Sequence, residues 1–386
     1  MQLLLDAIID RAIQPKDGVL PTIVGAVVRV SLCGKPLYQR AAGYADRENK
    51  VVMQPDTLFR LSSVTKPFVV AAAGVLLEQG KLHPDDRITQ WLPWFTPLQP
   101  DGNLSVITIR HLLTHTAGLN YGFSEQPDGP YHQAKISDGV DTTPLSLEEN
   151  LRRIASVPLL FNPGSAVQYS VATDVLGAVL AKVCNAALDD VIRTLVTQPL
   201  GISDCEFTVP DPARLAVPYI NQPNGIPRPM NELEILFDEE AGITGGINFS
   251  PNRAFDASAF LSGGAGMIGS AQGVERLLQV FRTDGAPLFS KRTMDLLLTD
   301  SVKQQEMAPG WGFAAGWKTL RNPLAADTPQ SPGTISWGGV YGHHWFIDFE
   351  RNLSVLIMTN TTPQGLYGTF TNDICDSIYA ALARKE

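Results

Sequence analysis

The segments that read as β-strand lie at the two ends of this chain, so any sheet they form must bring the ends together in space. Residues 23–32, Ile-Val-Gly-Ala-Val-Val-Arg-Val-Ser-Leu, are rich in β-branched side chains and buried in character. Gly34-Lys35-Pro36 marks a turn, and 37–45 return as the second strand of a hairpin. Near the other end, 311–320, 334–341, 343–350 and 353–360 read as strands bounded by turn residues, and 370–384 as a closing helix. Between them a long helix is predicted from Ser62 or Ser63 to about Glu78, stopped by Gly80. Further helices are predicted at 107–115, 146–156, 171–184, 187–197, 271–283 and 291–298. The Gly/Pro/Asp-rich stretch 120–145 and residues 205–255, which hold seven prolines, read as loops. Strand-rich ends around a helical middle imply one sheet built from both ends, with the helical part inserted. The expected fold class is α/β (α+β): a central antiparallel sheet flanked by helices. Residues 1–85 plus about 205–386 would form the α/β domain and about 86–204 a mainly helical one.

Composition narrows the function classes. Lys+Arg total 30 against 39 Asp+Glu, a net charge of −9, which is poorly suited to a polyphosphate backbone, so no nucleic-acid partner is expected. The longest apolar run, 68–77, is about half of a membrane span, so no membrane partner is expected either. The first residues lack a basic start and read as an amphipathic helix, with Leu4, Ile8, Ile9 and Ala12 in one stripe and Asp6, Asp10 and Lys16 elsewhere. Cys33, Cys184, Cys205 and Cys375 form no C-x-x-C pattern and are expected to be buried and reduced, in a cytoplasmic enzyme.

Nucleophilic chemistry has one strong candidate. No serine has glycine at both −2 and +2, which removes the common hydrolase elbow. A single S-x-x-K occurs, Ser63-Val64-Thr65-Lys66, at the start of the long helix. Spacing of i and i+3 stacks Ser63 and Lys66 on one helix face, and a helix start supplies free N–H groups and positive potential. Pro67 fits imperfectly there, because it denies a helical hydrogen bond to the Ser63 carbonyl. The alternative, a serine cap beside a solvated lysine, is the commoner meaning of so short a pattern.

The surroundings decide between the two. Phe59 to Phe68 resembles the nucleophile segment of the serine β-lactamase and penicillin-binding-protein superfamily, and four further segments follow in that family's order. These are 108–119 (Thr-Ile-Arg-His-Leu-Leu-Thr-His-Thr-Ala-Gly-Leu), 161–164 leading to Tyr169-Ser170, 263–267 (Gly-Gly-Ala-Gly-Met), and 337–342 (Trp-Gly-Gly-Val-Tyr-Gly). The resemblance runs over roughly 8–382 as one module, and within the superfamily the chain is most similar to family VIII carboxylesterases, which have a class C β-lactamase-like fold, so the expected fold is β-lactamase/transpeptidase-like. Two departures from β-lactamases carry that choice. Tyr169-Ser170-Val171 lacks the amide of Tyr-x-Asn, and Trp337-Gly338-Gly339 stands where Lys-Thr-Gly would be. An indole in place of an ammonium removes a clamp for substrate carboxylates and leaves an apolar wall suited to neutral acyl groups.

The resemblance therefore implies a serine carboxylesterase acting on short-chain neutral esters, with Ser63 as nucleophile and Lys66 and Tyr169 activating it. Isolated lysine and tyrosine titrate near about 10.4 and 10, too high for a base at neutral pH, and a contacting pair titrates as a unit, so the base is left open between them. The resemblance puts the oxyanion hole at the N–H groups of Ser63 and Val340, and the substrate against Trp337, Gly338 and Gly339. A small-molecule ester is the expected partner, with no metal or organic cofactor. A class C-like β-lactamase and an acyltransferase are the alternatives on the same fold. His111 and His115 stand at i,i+4 but lack the glutamate of H-E-x-x-H, so capping or core hydrogen bonds are expected of them. His343-His344 is expected at a turn beside the site, and Asp85-Asp86 and Glu148-Glu149 at solvated helix starts.

Overall fold

The computed structural model describes residues 1–14 and 21–384; Lys16, assigned above to the polar face of the first helix, lies outside them. Both ends of the chain meet in one eight-stranded antiparallel sheet. Its order is Trp311–Phe313, Lys318–Leu320, Ile335–Gly339, His343–Asp348, Leu353–Thr359, Gly25–Leu32, Lys35–Asp46 and Val51–Val52. The join is the ladder in which Ala26 to Leu32 pair with Thr359 to Leu353. Both faces of these strands are covered, which is why Leu353–Thr359 is buried at every position instead of alternating with polar residues. Val28, Val30, Val355 and Ile357 pack under the terminal helices Gln2–Ile13 and Thr369–Ala383. Val27, Leu356 and Met358 face the larger core around the central helix Thr65–Glu78.

That helix is buried along residues 65–76, so the apolar run read at 68–77 is a core helix. Among the described residues no helix is long and apolar enough to cross a membrane. The helix begins at Thr65, later than the sequence indicates, and follows a 3₁₀ turn over Ser62–Val64. Pro67 thereby falls in the first helical turn, where a backbone N–H would have no helical partner, and its misfit disappears.

Several expectations are corrected. Residues 205–255 are not only loops: they contain strands Tyr219–Asn221, Pro227–Pro229, Glu234–Asp238 and Ile243–Phe249. Two of the prolines that argued against strand sit on Pro227–Pro229, the edge of a three-stranded sheet, where a missing N–H breaks no inner ladder. The strand expected over 311–320 is a hairpin, reversed at Ala314–Trp317 with Gly316 at φ +80. The predicted helix 107–115 shortens to Ile109–Leu113. In the first helix Leu5, Ile9 and Ala12 are buried while Leu4 is exposed, so the apolar stripe is one residue away from the expected one. All four cysteines are free, but only Cys205 is buried; Cys33 is exposed at the left-handed hairpin turn, at φ +51.

Candidate active site

Two backbone ties and one side-chain tie set the start of the central helix. Leu58–Arg60 pairs with Ile268–Ser270, the Leu61 N–H donates to the Met267 carbonyl at 2.9 Å, and the Met267 N–H donates to Thr65 Oγ1 at 3.1 Å. Ser62 is left-handed at φ +44, an uncommon conformation for a buried non-glycine residue. Its Oγ donates to the Leu61 carbonyl at 2.8 Å and accepts from the Tyr341 N–H at 3.4 Å. The bend turns the chain so that Ser63 and Lys66 face one cleft wall one helical turn apart.

Ser63 Oγ lies 2.6 Å from Tyr169 Oη and accepts from Lys66 Nζ at 3.2 Å. Lys66 is fully buried and also donates to Tyr121 Oη at 3.0 Å and to the Gly264 carbonyl at 2.8 Å, so all three ammonium donors are used. Its Nζ lies 4.7 Å from the centre of the Tyr169 ring. Gly264 has to be glycine for this approach: a Cβ there would stand 2.6 Å from Asp174 Oδ2 and 3.0 Å from Tyr121 Oη. Burial, then the neighbouring Tyr169 and Asp174, hold the Tyr121 phenol well above its ordinary pKa, so Tyr121 stays protonated. The structure thus brings together the three residues named from sequence and adds Tyr121 and the Gly264 carbonyl. Neither addition leaves a spacing signal, because each meets Lys66 only through tertiary packing.

Trp337 stands on the Ile335–Gly339 strand with its ring 4.8 Å from that of Tyr169 and 5.4 Å from that of Phe313. Tyr121 and Phe123 stack at 4.7 Å and complete an aromatic wall. Trp337, Gly338 and Val340 line the same cleft as Ser63, a cavity of about 450 Å³. Gly339 does not: it is buried, and a Cβ there would lie 2.4 Å from the Leu61 carbonyl and 2.7 Å from Ser62 Oγ. Gly339 lets the strand end pack against the Ser63 turn.

The histidines have structural partners. The His111 N–H and the Thr108 side chain form a capping box with the Thr108 N–H and the His111 ring. His115 is buried, accepts the Ser170 N–H at Nδ1 over 3.0 Å, and packs on Tyr169 at 5.2 Å. Burial, helped by the Lys66 charge, keeps its pKa well below the ordinary value, so it is neutral. His343 and His344 sit on the His343–Asp348 strand and not at a turn; the turn is Val340 to Gly342, with Gly342 at φ +113. His343 Nε2 donates to the Arg60 carbonyl at 2.8 Å, tying this strand to the nucleophile segment, and burial pulls its pKa down to about 4. Glu148 and Glu149 do open a helix, paired with Arg152 and Arg153.

Asp138 is a cleft residue the sequence did not single out. It accepts the N–H groups of Gly122 at 3.0 Å and Phe123 at 3.2 Å, which fixes the Tyr121–Phe123 wall. Burial outweighs those bonds and pushes its pKa from 3.8 up to about 7. A carboxyl whose pKa is higher in the folded state binds more protons there than when unfolded. Between about pH 4 and 7 it therefore lowers stability as pH rises. Asp138→Asn is expected to gain stability relative to wild type across that window; urea unfolding of both proteins at pH 4.5 and 7.5 checks it, and an unchanged difference between them contradicts it.

Comparison with known proteins follows the same outline. The model of the Beta-lactamase family matches residues 9–373. Esterase EstB of Burkholderia gladioli is 45% identical over 380 residues, 97% of this chain and 94% of EstB. Among solved structures, EstCE1, described as a hydrolase with promiscuous acyltransferase activity, superposes with a TM-score of 0.93 at 42% identity, covering 98% of each chain. Simvastatin synthase LovD of Aspergillus terreus shares the fold at 21% identity, TM-score 0.77, with 98% of each chain covered.

Proposed function

The chain belongs to the beta-lactamase family and is a serine carboxylic ester hydrolase, and on that premise we propose that it works through an acyl-enzyme on Ser63. The observation that carries this reading is the contact of Ser63 Oγ with both Tyr169 Oη and Lys66 Nζ. Ser63 Oγ attacks the ester carbonyl while its proton passes across the 2.6 Å contact to Tyr169. The Lys66 ammonium, its donors already committed, stabilises the phenolate, so the two act as one base. The N–H groups of Ser63 and Val340 hold the oxyanion, each donor being typically worth about 3 kcal/mol to the transition state. The C–O bond to the alcohol then breaks and the alcohol oxygen takes the proton back. A water molecule repeats the sequence on the acyl-enzyme and frees Ser63.

The cleft lies between the α/β part (1–85 plus about 205–386) and the helical part (about 86–204). Supporting that division, Ser63 and Trp337 line it from the first and Tyr121, Phe123 and Tyr169 from the second. The apolar wall around Trp337 favours short neutral acyl groups, of about four to six carbons by the family resemblance. The kcat/KM for p-nitrophenyl butyrate should exceed that for nitrocefin; the reverse order would make the protein a β-lactamase with an unusual strand. Trp337→Lys should lower kcat/KM for the butyrate ester several-fold, up to about tenfold, since an aromatic contact is worth about 0.5–1.5 kcal/mol beyond its area. An unchanged value would remove Trp337 from the acyl wall. Acyl transfer to an alcohol other than water is the second reading, favoured by the activity described for EstCE1. Added methanol yielding methyl butyrate in competition with butyrate would measure it.

A further inference from the structure

The ammonium that is missing from position 337 has a counterpart one strand away. Lys318 lines the same cleft as Ser63, together with Ser336, His344 and Asn372. Three adjacent strands supply the first three: Lys318 is opposite Ser336, and His344 is opposite Gly338. At ~3.3 Å per residue, Ser336 stands roughly 10 Å along its strand from Gly339, the residue before the oxyanion-hole N–H of Val340, so this end of the cleft is remote from the scissile bond. Lys318 Nζ rests 4.8 Å from the centre of the Trp311 ring, and among the described residues no carboxylate pairs with it. Burial alone pulls its pKa down to about 8, which leaves it mostly cationic at neutral pH. His344 is neutral, its pKa lowered to about 3 by burial and by the Lys318 charge, so its ring keeps an N–H to donate. Among the described residues nothing engages the Ser336 hydroxyl. Among the described residues the acidic one that lines the cleft is Asp138, which burial holds largely uncharged below pH 7.

A partly desolvated ammonium without a counter-ion is unfavourable unless a ligand brings the charge. We propose that Lys318, Ser336 and His344 form a subsite for a free carboxylate carried by the ester substrate, remote from the carbonyl that Ser63 attacks. This rests on the Ser63 reading and deepens it: the part of the substrate next to the scissile bond is neutral and lies along the aromatic wall, and a carboxylate at the far end of the acyl or alcohol group ends at Lys318. A β-lactam carboxylate, close to its scissile bond, would stay near Trp337 and gain nothing from Lys318.

The test uses matched pairs. One arm is a series of p-nitrophenyl hemiesters from glutaric to sebacic acid, each against its methyl-capped form. The other is butyrate esters of hydroxy acids against their methyl esters. In wild type, KM should be lower for the free acid than for the capped ester in at least one arm, which identifies whether the acyl or the alcohol side carries the carboxylate. In that arm Lys318→Met should reduce the ratio of kcat/KM for free acid over capped ester by about 10–150-fold, as expected for losing a charge-assisted hydrogen bond, and Lys318→Arg should retain most of it. Wild-type KM values no lower for the free acid in either arm, or an unchanged ratio in folded Lys318→Met, overturn the subsite. Failure of the Ser63 reading is separate, because it would appear as capped-ester turnover in Ser63→Ala.

Discussion

Ser63→Ala is expected to lose at least about 10³-fold in kcat/KM on p-nitrophenyl butyrate while its thermal midpoint stays within a few degrees of wild type. The activity loss follows because no acyl-enzyme can form without Oγ. The stability is kept because, among the described residues, Oγ bonds only to Tyr169 and Lys66, and Lys66 retains Tyr121 and the Gly264 carbonyl. Ser63 is also half-buried at a 3₁₀ turn whose backbone is tied through Leu61, Thr65 and Met267, none of which depends on its side chain. Steady-state kinetics alongside a thermal melt separates the two effects. Turnover within tenfold of wild type in a folded Ser63→Ala protein would end the assignment.

The second large effect is a failure of additivity. Lys66→Ala and Tyr169→Phe should each reduce kcat/KM nearly as far as the double substitution, because the Tyr169 oxygen that takes the Ser63 proton depends on the Lys66 charge and the base is lost when either is removed. Tyr169→Phe removes the oxygen 2.6 Å from Ser63 Oγ but keeps the ring that packs on Trp337 and His115. Lys66→Ala removes the charge facing that ring and leaves the Gly264 carbonyl and Tyr121 without their donor. Its folding must therefore be measured in parallel. Losses that simply multiply in the double variant would mean that the two residues act independently.

What could be read from sequence follows from what is local. Ser63 and Lys66 are one helical turn apart, so their spacing alone puts them on one face. The β-branched runs at both ends declare the sheet, because strand propensity and turn residues act over a few positions. Tyr169 was legible only through the family resemblance, since nothing at 169 alone separates a catalytic tyrosine from a core one. Tyr121 lies in a stretch read as loop and meets Lys66 from the far side of the cleft. Lys318 escaped for a different reason. The 311–320 segment reads as one strand, and only the reversal at Ala314–Trp317 and the register with Ser336 turn Lys318 into the cleft. Registers and hairpin reversals are set by packing against distant residues, which a local pattern does not encode.

The most direct test of the account is covalent. A fluorophosphonate transfers its phosphonyl group to an activated serine oxygen with loss of fluoride, and peptide mapping then locates the modified residue. Modification at Ser63, in step with loss of esterase activity and absent from Ser63→Ala, is the predicted result. Modification of a different serine in step with inactivation, or full inactivation with Ser63 unmodified, would contradict it.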